Sequence, residues 1–149
     1  MRTLLHEPPQ YIYFVAASWA PLIKVGRTTG VYARFHSLQN GAPEPLHLVD
    51  VFRASADMEP LIKSALRQHR FSREWFRFTR GVADFVDRLQ QAREELFVAR
   101  IRGGDVPFVT SIDMSKAIAG LCKLPWPDAE EVFEYAFIEM PEQFQPGAR

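Results

Sequence analysis

Tyr11-Ile12-Tyr13-Phe14-Val15 and Leu22-Ile23-Lys24-Val25-Gly26 are two β-favouring runs with no helix between them. The link, residues 16–21, holds Ser18 and Pro21 and is short enough to close a hairpin. A chain that opens on a hairpin instead of a βαβ unit builds an antiparallel or mixed sheet with helices packed on it, an α+β class.

Outward from that hairpin the pattern alternates. After Gly26 comes Arg27-Thr28-Thr29-Gly30, in which a threonine can cap a helix. Val31, Phe35 and Leu38 then recur at helical spacing, and Asn40-Gly41 is a stop. Residues 46–53 read as a third strand. Met58, Leu61, Ile62, Ala65 and Leu66 mark one face of an amphipathic helix with Ser55 or Asp57 as its cap. Residues 74–78 read as a short strand. A long helix over 82–99 follows, with Val82, Phe85, Val86, Leu89 and Leu96 inward, and Gly103-Gly104 ends it. Two more helices are expected, over 113–121 and 128–138, separated by Pro125-Trp126-Pro127. The expectation is a three- to four-stranded antiparallel or mixed sheet flanked by helices over residues 1–100, and a helical C-terminal extension over 101–149.

The 149 residues are 47% hydrophobic and 24% charged, an ordinary globular mix. No apolar run reaches the roughly 18 residues of a membrane span, and residues 1–9 hold no signal-peptide core. Cys122 is the one cysteine, which excludes an intrachain disulfide and makes a reducing cytoplasm the default. The net charge of zero hides a split. Residues 1–100 hold 14 Lys and Arg against 10 Asp and Glu, and residues 101–149 hold 4 against 8. Such asymmetry points to a charged partner for the first part and a masking role for the second.

The order of elements, together with four sets of residues, resembles the GIY-YIG nuclease superfamily over residues 10–90. Tyr11-Ile12-Tyr13 stands at the first family motif with Tyr13 at its tyrosine, and Lys24-Val25-Gly26 stands at the second. Arg34 lies in the following helix and Glu59 opens the next one. Residues 40–46 and Arg70-Phe71-Ser72-Arg73-Glu74-Trp75-Phe76 are similar to a subgroup found in phage and bacteria. The chain departs from the pattern at Lys24, where the second motif has a tyrosine. It departs again at Lys63, a frequent histidine, and at Arg73, a frequent glycine, and the family's late asparagine has no counterpart.

The resemblance implies a DNA endonuclease that hydrolyses phosphodiester bonds with Mg²⁺ or Mn²⁺. It makes Glu59 the metal ligand, since a hard divalent cation often takes a single carboxylate and keeps several waters. It makes Tyr13 the group that positions or deprotonates water. A phenol acts as a base near neutral pH only beside a cation, and Lys24 on the paired strand is the expected neighbour. Arg34 is expected at the scissile phosphate, and His36, two residues on, as a general base. Arg27 adjoins the second motif, and Lys63, Arg67 and Arg70 repeat at helical spacing as a stripe that tracks DNA backbone. Each has a plainer reading: Glu59 and Lys63 as an i, i+4 surface pair, Tyr13 as strand packing, the arginines as solvated helix faces, the histidine as structural. The competing functions are an inactive DNA-binding module of the same fold and a protein-interaction module. In the latter the acidic extension docks on the basic part, on a partner protein or in a homodimer.

Overall fold

The computed structural model describes residues 8–104, 108–126 and 131–132. The opening hairpin pairs β1 (Tyr11–Ala17) with β2 (Leu22–Thr28), and β1 is buried from Ile12 to Ala17. A strand so uniformly apolar belongs in the middle of a sheet covered on both faces. It lies there: β3 (Leu46–Arg53) and β4 (Trp75–Arg77) complete a four-stranded antiparallel sheet in the order β3-β1-β2-β4. A bulge in β3, between the partners of Phe14 and Val15, re-aims Asp50. Asp50 there accepts hydrogen bonds from both terminal nitrogens of Arg93 and from Gln90.

Alternation along β1 and β2 sorts side chains between the two faces. Tyr13, Val15 and Ala17 face α1 (Val31–Asn40), where Phe35 and Leu38 pack on them. Ile12, Phe14, Ile23 and Val25 face the larger core, shared with α2 (Met58–Ala65), α3 (Arg80–Arg102) and α4 (Ser111–Cys122). Val82, Phe85, Val86 and Leu89 of α3 are buried in it, and so are Met114, Ile118 and Leu121 of α4. The first residues of the expected extension therefore belong to the same core as the sheet. Thr79 and Thr110 cap α3 and α4 by accepting from Val82 N and Asp113 N.

The architecture is the α+β class read from the sequence, with four strands. Details differ. Gly30, not a threonine, is the α1 N-cap, because the Thr28 hydroxyl turns back to accept from Gly30 N–H at 3.1 Å. Leu61 is 41% exposed: α2 has only eight residues, and its buried stripe narrows to Ile62 with Met58 and Ala65 beside it. The expected continuous stripe of Lys63, Arg67 and Arg70 is not one helical face. After Ala65 the chain tightens into a 3-10 turn over Arg67–His69, and Arg70 is extended. That break buries His69, whose Nδ1 meets Thr79 Oγ1 at 3.1 Å. The helix expected over 128–138 lies outside the described residues except for Glu131 and Val132. These two form a bend and an antiparallel bridge to Thr79. Among the described residues no helix is long and apolar enough to cross a membrane.

Candidate active site and nucleic-acid interface

The register sets Tyr13 directly opposite Gly26. Gly26 has no side chain, and the Tyr13 ring occupies the space one would fill: a Cβ there would collide with the phenol Cζ and Oη. Position 26 thus needs a glycine so that Tyr13 can lie across the neighbouring strand. Tyr13 is 3% exposed. Burial pushes its phenol up to about 12; Arg34 pulls it down, while Glu74 and Glu59 push it further up. Charges from α1, from α2 and from the turn before β4 therefore meet at one phenol.

Around the same stretch of β2 runs a chain of ion pairs. Lys24, 6% exposed, is hydrogen-bonded to the Glu74 carboxylate. A buried ammonium without such a partner would be strongly destabilising. Lys63 reaches the other oxygen of Glu74 at 3.2 Å and Glu59 at 3.4 Å, and Arg27 Nε stands 3.7 Å from Glu59. Partial burial raises the Glu74 carboxyl, but hydrogen bonds and charges from Lys24 and Lys63 outweigh it and hold the group below its usual value. The three cations outnumber the two carboxylates, so the network carries surplus positive charge, and Arg34 adds to it. A broad open cleft beside it, about 860 Å³, is lined by Lys24, Lys63, Arg70, Arg73 and Glu74 together with Ser72 and Trp75.

The family model of the T5orf172 domain matches residues 10–97, more than half of the chain. The chain belongs to the T5orf172 domain family. This family is related to nuclease-like domains and is compatible with a nuclease-like or DNA-binding module. No curated protein and no solved structure matches the chain. Every candidate residue, from Tyr13 to Arg70, lies inside the T5orf172 segment, whereas α4 lies beyond it.

Within that segment Tyr13, Lys24, Arg27, Glu59 and Lys63 come together, and Arg34 joins them through its effect on Tyr13. Two expectations are corrected. Lys24 does not draw down the Tyr13 phenol: its ammonium is engaged by Glu74, and the cation acting on Tyr13 is Arg34. His36 points away from Arg34, since residues two apart on a helix diverge by about 200°; its ring lies tilted against that of exposed Tyr32, centroids 4.4 Å apart. Arg67 donates to the Ser64 carbonyl, and Arg70 lies over the Phe76 ring while also lining the cleft. His47, lowered by burial, bonds Ser18 and is structural, like His69.

Glu74 is the residue that sequence reasoning passed over. It was visible in the Arg73-Glu74-Trp75-Phe76 run. Its signal would have been the need of a buried Lys24, on a central strand, for an anion. Among the described residues, no three of His, Cys, Asp and Glu gather as a metal cluster. A divalent ion here would depend on one carboxylate, on water and on substrate phosphate.

Proposed function

We propose that this chain is a metal-dependent endonuclease of the GIY-YIG type that hydrolyses DNA phosphodiester bonds. The observation that carries the reading is the Tyr13 phenol laid over Gly26 within the combined field of Arg34, Glu59 and Glu74. Tyr13 is neutral at every working pH, so its role is to hold the attacking water by a hydrogen bond and not to strip its proton. Arg34 answers the charge that grows on the phosphate, which its planar fork suits. The surplus positive charge of Arg27, Lys24 and Lys63 over the two glutamates favours an anionic backbone alongside.

Glu59 fits the metal role better than Glu74 does. Each Glu59 oxygen has one ion pair, at 3.4 or 3.7 Å, longer than a hydrogen bond, whereas each oxygen of Glu74 accepts a lysine hydrogen bond. When bound, Mg²⁺ or Mn²⁺ polarises the phosphate and neutralises the leaving oxygen.

The test is cleavage of supercoiled and branched DNA with Mg²⁺, Mn²⁺ or EDTA, for the wild type and Glu59→Gln. Cutting by the wild type that needs the metal, and loss on the order of 10²-fold or more in the variant, is the expected result. Stability should change by no more than about 1 kcal/mol, because Lys63 keeps Glu74 as a partner. Equal rates in the two proteins would remove Glu59 from the metal site.

Binding without cleavage is the second reading. The capture of Lys24 by Glu74, which leaves Tyr13 without an activating lysine, favours it. DNA retention that weakens steeply with salt, with no cutting in any metal, is its signature.

A further inference from the structure

Beside the cationic cleft lies a second, drier recess. The turn from Phe71 to Trp75 separates them. Phe71 N and Ser72 N both donate to the Trp75 carbonyl, at 2.9 and 3.1 Å, and Val25 N donates to the Glu74 carbonyl at 3.1 Å, so the turn is fastened to β2. Leu22, Pro43, Leu46, Phe71 and Trp75 form the apolar wall of the recess. Trp75 and Ser72 line the cleft as well, and the Lys24 ammonium stands 5.9 Å from the Trp75 ring centre. Phe71 is 64% exposed, a large ring left in water at the lip.

We propose that this recess receives one unstacked nucleobase of a single DNA strand, whose phosphates lie along Lys63, Arg70 and Arg73 in the adjoining cleft. The recess holds about 150 Å³. That is below the roughly 300–1,000 Å³ of sites for drug-sized ligands and cofactors, and it suits one planar ring. Two aromatic rings of one rigid turn offer the stacking surface that any base accepts.

Charge sorts the strand in the same direction. Four of the charged side chains of the cleft are cationic, whereas the recess contains the carboxylate of Glu44. That carboxylate is fixed by the N–H groups of Trp19 at 2.6 Å and Ala20 at 3.2 Å. It repels a phosphate and accepts from the amino edge of a base. A base stacked and paired in duplex DNA cannot enter, so the strand is single or locally opened.

The inference rests on the reading of the cleft as a track for DNA backbone. The test keeps it separable from cleavage by working in EDTA. Fluorescence anisotropy compares a labelled single-stranded dodecamer with an abasic strand of equal length and charge, for the full chain and for Phe71→Ser. The wild type should hold the base-bearing strand about 5- to 100-fold more tightly. Phe71→Ser should lose most of that advantage and keep its affinity for the abasic strand. An unchanged thermal midpoint, expected for so exposed a position, excludes misfolding. Equal affinity of the wild type for the two strands overturns the proposal, as does an advantage that survives in Phe71→Ser or the absence of binding to either strand. Base-selective binding without metal-dependent cutting sinks the endonuclease and keeps the recess. Cutting without base selectivity does the reverse.

Discussion

Tyr13 is a phenol that the fold keeps protonated. A cleavage-rate profile should therefore show no inflection from this residue in the neutral range. Tyr13→Phe, which removes one hydroxyl and leaves the ring over Gly26, should slow cleavage by about 10²- to 10³-fold. An inflection that appears near pH 7–8 in the wild type and vanishes in the variant would give Tyr13 the role of base after all. The stability consequence has a definite sign. The folded phenol is raised from 10.0 to about 12, so the folded state holds its proton longer than the unfolded one. The corresponding stability is complete below pH 10 and is lost as pH rises toward 12. Gly26→Ala tests the same contact sterically. A methyl group aimed at the phenol should cost about 1–3 kcal/mol in chemical denaturation and should lower cleavage by displacing Tyr13. That Tyr13, Arg34 and Glu59 lie near one another was legible in the sequence, because motif order groups them. Glu74 was not, because its partner Lys24 is 50 residues away and only the tertiary fold makes them neighbours.

Three elements are tied at their polar edges by one chain of charges: β2 through Lys24 and Arg27, α2 through Glu59 and Lys63, and the turn before β4 through Glu74. Since the folded Glu74 carboxyl titrates below its usual value of 4.5, its contribution is present above that pH and is lost as pH falls through the depressed folded value. Glu74→Gln should be less stable than the wild type at pH 7, and the difference in urea midpoint should shrink toward pH 3. A constant difference across that range would mean that the charge of Glu74 is irrelevant to stability. The order of the elements from β1 to α4 was legible from apolar period and turn residues. The end of α2 was not. Lys63, Arg67 and Arg70 continue a helical spacing on paper, and it is the burial of His69 against Thr79 that ends the helix at Ala65.

Over the whole molecule, α4 acts as a lid of the main core. Ile118 is fully buried, and Trp126 closes over Phe85 at 5.0 Å with its indole N–H on the Leu121 carbonyl. Ile118→Ala should cost about 2–5 kcal/mol and shift one cooperative unfolding transition. Two resolved transitions would show that α4 melts separately from the sheet. The charge split along the sequence had suggested an acidic segment placed against the basic one. Among the described residues of that segment, Asp113 pairs with Arg100 and Glu131 with Arg80, both arginines of α3 and neither part of the network around Glu59. Charge counts along a sequence carry no information about which face a helix presents, and for that reason the arginines these acids meet were not legible. The placement of α4 also bears on transplantation. A chimaera carrying residues 10–97 into another host would leave Ile62, Leu66 and Phe85 without their covering helix. Such a graft stays soluble only where the host brings an apolar helix of its own, so the unit that recombines safely ends past Cys122, not where the family resemblance fades.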